Sequence, residues 1–210
     1  MRPDSSNHQK QAAALAIQLA CDKLAAGPSL SDRCARTGLP VPATANDAVR
    51  MPFFGKTLTL QPPGFDGLIV ETGLPPKPSE HLLALHYLAC DLPVTPENRW
   101  ITFREFPGGA FYWPAFLSRA IHPLIKAIGN DLVKLRERLA RFSAMNEDGP
   151  ADTVSARMVA VGKIEVLLVY RAGDEEFPPS ADLLYDGCAR RVYGAEDAAV
   201  LGGRVCFGLM

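Results

Sequence analysis

The residues best equipped for chemistry fall in two segments with the same local order. Arg104-Glu105-Phe106-Pro107 and Asp174-Glu175-Glu176-Phe177-Pro178 each place acids directly before a Phe-Pro turn. Carboxylates gathered in one place can hold a hard cation through oxygen ligands. They can also raise one another's pKa and work as acid and base, or pair with arginines as structural bridges. Glu105, Asp174 and Glu176 are the candidate acids or bases, and Arg104 is placed to orient an anionic substrate. If both segments leave one sheet at the same end, Arg104, Glu105, Asp174, Glu175, Glu176 and Asp186 converge on a common site. The competing reading is a charged, solvated turn with Phe177 plugging the core. His86 and Cys90 stand four apart on one helical face, a metal-ligand spacing. Without a third and fourth ligand, the same pair describes a half-buried histidine beside a buried thiol.

Aromatic residues surround the first of these segments. Trp100, Phe103, Phe106, Phe111, Tyr112, Trp113 and Phe116 crowd about Gly108-Gly109, and flat walls with a few charges suit a flat ligand. The two glycines permit positive φ and a close approach of backbone or ligand. His86 or His122 can serve as an axial ligand to a metal-bearing ring. The alternative is a core rich in aromatics, with every ring covered. The full GxGxxG spacing is absent and no lysine follows the glycines, which favours a connecting turn over a phosphate cradle.

The elements that must position these groups can be read from period and punctuation. Trp100 to Glu105 alternates as a strand should, and Pro107, lacking an amide hydrogen, ends it. Ala110 to Ala120 reads as a short helix bounded by His122-Pro123, with Phe111, Phe116 and Ala120 on one face. Ser79 caps a helix that runs to about Asp91. Residues 55–61 and 67–72 alternate on either side of Pro62-Pro63-Gly64 and form a hairpin. Segments 154–161 and 163–171 are strands; the second is so apolar that it belongs mid-sheet, covered on both faces. Residues 181–185 supply a further short strand. A helix over 131–144 has Leu132, Leu135, Leu139 and Phe142 on one face and a solvated basic face of Lys134, Arg138 and Arg141. A last helix includes Glu196 and Asp197 in its first turn and is weakened by Gly202-Gly203.

At the other end of the chain, Ser5 or Ser6 caps a first helix with Ala13, Ile17, Cys21 and Leu24 at helical spacing. Ser29 caps a second, which Gly38 ends. Residues 39–52, punctuated by proline, read as a linker. The whole is an α+β protein with a mostly antiparallel sheet packed with helices, organised as a helical N-terminal arm over 1–40 and a single α+β domain over 53–210.

The totals narrow the function classes. The chain has 210 residues, 48% of them hydrophobic and 21% charged, with a formal net charge of -1; these are the proportions of a soluble globular protein, not of a general nucleic-acid or membrane-surface binder. No stretch is long and apolar enough to span a membrane. Five cysteines without a CxxC exclude a self-contained zinc ribbon, an iron–sulfur cluster and a disulfide framework, and point to reduced, buried thiols in the cytoplasm. GxSxG, HExxH, Walker A and EF-hand patterns are all missing.

The segments FREFPGGAFYWPAF at 103–116 and GDEEFPPSADLLYD at 173–186 resemble an uncharacterised family of bacterial and archaeal proteins known only as a domain of unknown function. LLALHYL at 82–88 and EDAAVLG at 196–202 look like the same family, so the resemblance runs from about Gly55 to the end. It implies relatives found chiefly in anaerobes, some beside corrinoid and iron–sulfur proteins. The cysteine-rich cluster domains that several lineages attach are missing from this chain. What the resemblance implies is a small-molecule or cofactor-binding accessory protein of anaerobic metabolism, its cofactor of tetrapyrrole or corrinoid type and its partner a redox or corrinoid protein. The ligand-binding candidates are Trp100, Arg104, Glu105, Gly108, Gly109, Phe111, Tyr112, Asp174, Glu175, Glu176 and Asp186. Two alternatives stand beside it: an acid/base or metal-dependent enzyme using Glu105 and Asp174 to Glu176, and a protein–protein adaptor.

Overall fold

The computed structural model describes residues 5–210, and the side chains of Ser5 and Ser6, expected to cap the first helix, lie outside the described set. That helix, α1 (Ser5–Ala26), is followed by α2 (Leu30–Thr37) and strands β1 (Val49–Phe53), β2 (Lys56–Gln61) and β3 (Asp66–Ile69). Helix α3 (Pro78–Leu88) precedes β4 (Trp100–Thr102), after which come α4 (Gly109–Phe116), α5 (His122–Ile128) and α6 (Leu132–Leu139). Strands β5 (Met145–Glu147), β6 (Thr153–Val161), β7 (Ile164–Arg171) and β8 (Ser180–Asp186) lead to α7 (Ala189–Val192) and α8 (Ala195–Gly208).

All eight strands join one sheet in the order β3-β2-β1-β6-β7-β8-β4, with β5 on β6, and every pairing is antiparallel. The fold is α+β. Strand β6 gives one edge to β7 and divides the other between β5 and β1, meeting β1 only at Phe53–Val161. The segment read as a linker therefore ends in a strand of the sheet. Its alternation, with Val49, Met51 and Phe53 buried between exposed Arg50 and Pro52, was masked in the sequence by Pro52, which a strand edge tolerates.

One face of the sheet carries the core. Val154, Ala156 and Met158 of β6 stand opposite Tyr170, Leu168 and Val166 of β7, which stand beside Leu183 and Tyr185 of β8, all buried. Strand β7 is central as expected, and its second face is partly covered: Leu167 there is buried, while Glu165 and Val169 are half-exposed. Helix α8 lies close against the core face. A Cβ at Gly202 would overlap the Tyr185 hydroxyl and the Phe116 ring, and Tyr185 donates to the Ala198 carbonyl at 3.0 Å. Gly202, which weakens this helix by propensity, is what lets it approach.

The Trp100 strand is shorter than its alternation implies. After Thr102 the chain turns into a 3-10 turn at Phe103–Glu105, because Glu105 reaches back to accept the Thr102 N–H at 2.9 Å. The helix that follows is longer than expected. It passes through a π turn, Leu117–Ile121, and continues across His122-Pro123 to Ile128. A π turn just before a proline absorbs the missing donor and the ring's bulk, so Pro123 does not end the helix.

Helix α1 buries the expected stripe, with Leu24 covered and Ala13, Ile17 and Cys21 half-covered, and packs along α3. Ser29 accepts the Asp32 N–H, and Gly38 closes α2 with φ of 69°. The Tyr87 hydroxyl then ties three elements together: it donates to the Thr37 carbonyl at 2.7 Å and accepts the Lys163 N–H at 2.9 Å.

Candidate functional site

The register decides which candidate residues can meet. Strands β4 and β7 both pair antiparallel with β8, so they are parallel to each other and leave the sheet in the same direction. Their ends are nevertheless staggered. Trp100 lies opposite Asp186, whereas Arg171, just before the acidic turn, lies opposite Ser180 at the other end of β8. Six residue-to-residue steps along β8 separate Ser180 from Asp186, or about 20 Å. Asp186 and the Asp174–Glu176 turn do not converge.

Each acid has a local structural task. Asp174 is exposed and accepts the N–H groups of Glu176 and Phe177 at 2.8 and 2.7 Å, folding the turn on itself. Those bonds hold its carboxyl below the ordinary aspartate range. Glu175, Glu176 and Phe177 are exposed beside it, so Phe177 does not plug the core. Glu105 is held low by the Thr102 N–H and by Arg99, 3.4 Å away. A general acid at neutral pH needs the opposite shift.

Asp186 is 2% exposed. Its oxygens accept the backbone N–H groups of Glu97, Asn98 and Cys188, each at 2.9 Å. Burial alone would raise this carboxyl; the backbone donors outweigh burial and hold it below the usual range. Glu105 and Asp186 thus share one end of the sheet with an ionic cluster in which Glu97 meets Arg191 at 2.8 Å and Arg99 and Arg190 at 3.9 Å.

The aromatic group splits. Phe103, Phe106 and Phe116 are buried, with Phe103 stacked on Phe116 at 4.4 Å and Phe106 edge-on to Tyr185 at 5.0 Å. Trp113 and Trp100 are half-buried, and Arg104 lies over the Trp113 ring at 4.8 Å, away from the acids. Phe111 and Tyr112 project outward. The glycine pair serves the turn: Gly108 has φ of 80°, and a Cβ at Gly109 would overlap the Phe103 carbonyl. These residues build a core corner and an exposed edge.

A cleft of about 1060 Å³ lies elsewhere, between α1, α3 and the start of α8. Ala13, Ala16 and Leu19 of α1 face Leu82, His86 and Cys90 across it, and Glu196, Asp197 and Val200 close one end. On its wall, His86 Nδ1 bonds to Asp197 Oδ2 at 2.8 Å. No other hydrogen bond of this ring is made among the described residues, which leaves Nε2 free. Cys90 lines the same cleft but makes no bond to His86. Its thiol donates to the carbonyls of Leu92 and Arg191, and no group of three or more His, Cys, Asp or Glu able to hold a metal occurs among the described residues.

Sequence reasoning missed Asp197, which stands 111 positions from His86. The only sequence signal was that both residues fall in the family-like segments 82–88 and 196–202. Residues 29–207 match a family described as a domain of unknown function, DUF3786. The chain belongs to that family. No curated protein and no solved structure matches it. Family membership begins at Ser29 and not near Gly55, so it takes in α2 and β1, while α1, one wall of the cleft, precedes it. Among the described residues no helix is long and apolar enough to cross a membrane.

Proposed function

We propose that this chain binds a small organic molecule in the cleft between α1, α3 and α8, with His86 as its polar anchor. The observation that carries the reading is the His86–Asp197 bond on the wall of a mostly apolar cleft. Small-molecule sites are concave and apolar, with a few placed polar groups, and have volumes of about 300–1,000 Å³. A carboxylate on Nδ1 fixes the tautomer that leaves Nε2 available, as it does for metal-ligating histidines. The residues therefore suit the tetrapyrrole- or corrinoid-type cofactor implied by the family resemblance: His86 would hold its metal and the alanine-rich faces would lie against the ring. Such a cofactor would supply redox or axial-ligand chemistry when bound.

Native mass spectrometry of the protein purified anaerobically from its host tests the reading. The wild type should carry a discrete added mass that leaves on denaturation, and Leu82→Trp, which fills the cleft from α3, should carry less. Haemin and hydroxocobalamin titrated into the purified chain test the cofactor class, with a visible-band shift that His86→Ala abolishes. A bare polypeptide mass, with no band shift from either compound, refutes it.

A further inference from the structure

A second cavity opens where the sheet splays. Strand β1 meets β6 at a single residue pair, and beside that junction lies a space of about 590 Å³ lined by Arg50–Pro52 of β1, Gly162 and Lys163 of the β6–β7 turn, and the segment Gly38, Leu39 and Pro40. Its floor is apolar, with Leu39 and Met51 buried. Its charged lining is of one sign: Arg50 of β1, Lys56 of β2 and Lys163 of the β6–β7 turn. None of the three pairs with a carboxylate among the described residues. Glu71 lies outside this lining: both its oxygens accept the Thr57 N–H at 2.9 and 3.0 Å, and that bond, with Lys56 nearby, holds its carboxyl below the ordinary glutamate range.

Lys163 is held in place by the fold. Lys163 follows Gly162, whose φ is 58° and where a Cβ would overlap the Tyr87 ring. The Lys163 N–H is fixed by the Tyr87 hydroxyl. Its methylene stem lies across Gly38, where an added Cβ would sit 3.1 Å from Lys163 Cε. Gly162 N in turn donates to the Pro52 carbonyl at 2.9 Å, locking the turn to β1. Three cations from three separate segments line one concavity, and a polyanion placed among them would gain charge-assisted bonds from each.

We propose that this cavity binds a phosphorylated small molecule, its phosphate between Arg50, Lys56 and Lys163 and its apolar body on Leu39 and Met51. Guanidinium and ammonium groups are the usual phosphate partners, and the volume is that of a small-ligand site. A nucleic acid would call for an extended basic stripe, whereas these charges line a concavity on a chain of net charge -1. The inference does not rest on the His86 cleft, since no residue lines both.

Isothermal titration of inorganic pyrophosphate, ATP and citrate into the full chain at constant ionic strength tests it, beside a single-stranded RNA. Pyrophosphate or ATP should bind saturably at one site. Lys56→Gln and Lys163→Gln, both at the surface, should each weaken binding about tenfold, the worth of one charge-assisted bond, with circular dichroism unchanged; His86→Ala should leave it intact. Absence of saturable binding at millimolar pyrophosphate and ATP overturns the proposal, as does unchanged affinity in the Lys56→Gln/Lys163→Gln double variant. Citrate binding as tightly as pyrophosphate, or RNA binding without either phosphate compound, also overturns it.

Discussion

Replacing Asp186 separates a structural clamp from a ligand-binding carboxylate. Its three backbone donors join the 97–98 loop to the turn after β8, and Asp186→Ala would leave all three N–H groups without that acceptor. Hydrogen bonds to a charged group contribute about 1.5–3 kcal/mol each, and because the three share one carboxylate the joint loss should be about 4 kcal/mol. For a chain of this length that lowers Tm by about 10 °C. Asp186→Asn keeps one oxygen for the Glu97 and Cys188 donors but turns an NH₂ toward the Asn98 N–H, and should cost about 2 kcal/mol. The pH dependence has a definite sign. The folded carboxyl is held below its ordinary value, so its contribution is present above the unfolded aspartate pKa of about 3.9 and is lost as pH falls through the folded value. Urea titrations at neutral pH and down through this range should show the gap between wild type and Asp186→Asn narrowing with acid. An Asp186→Ala midpoint equal to wild type, or a gap constant with pH, would refute the clamp and return Asp186 to the list of ligand groups.

Two further outcomes follow from buried chemistry. Glu80, 6% exposed, meets Arg204 Nε at 2.6 Å and also accepts the Lys77 N–H; Arg204→Met should cost about 3–5 kcal/mol by stranding a buried charge. Adding Glu80→Gln should restore part of it in a double-mutant cycle by denaturation, and full additivity would show that the pair is not coupled. All five cysteines are free, and burial pushes Cys34 up to about 11, Cys206 up to about 12 and Cys188 higher still. A thiol reagent at mildly alkaline pH should therefore leave these three untouched in the native protein and label all five cysteines in urea; rapid native labelling of Cys34, Cys188 or Cys206 would contradict the packing.

Much of the architecture was legible because it depends on near neighbours. The 56–61 and 66–69 hairpin, the β6–β7 pair about Gly162, the Ser29 cap and the Gly38 stop are each specified within a few residues by period and turn chemistry. The errors arose where a local rule was overridden. Glu105 curled the Trp100 strand into a turn through a bond to Thr102, and a π turn carried a helix through Pro123. In the first case a side chain competed with the sheet for a backbone donor; in the second the backbone accommodated a proline that usually ends a helix.

The site was legible only in its parts. Sequence alone determined that the chain has one dominant antiparallel sheet with helices, free thiols, a glycine turn at 108–109 and acids at two similar turns. Periodicity, φ preference and charge count act over a few residues, and each could be read without knowing the rest. Tertiary structure decided that Asp186 and Asp174 stand at opposite ends of β8, that Phe103 is covered while Phe111 is bare, that Asp197 meets His86, and that Arg50, Lys56 and Lys163 share one cavity. Those facts depend on strand register and on how helices seat against a sheet. Both are set by the sum of many weak contacts between distant segments, which no single stretch of sequence records.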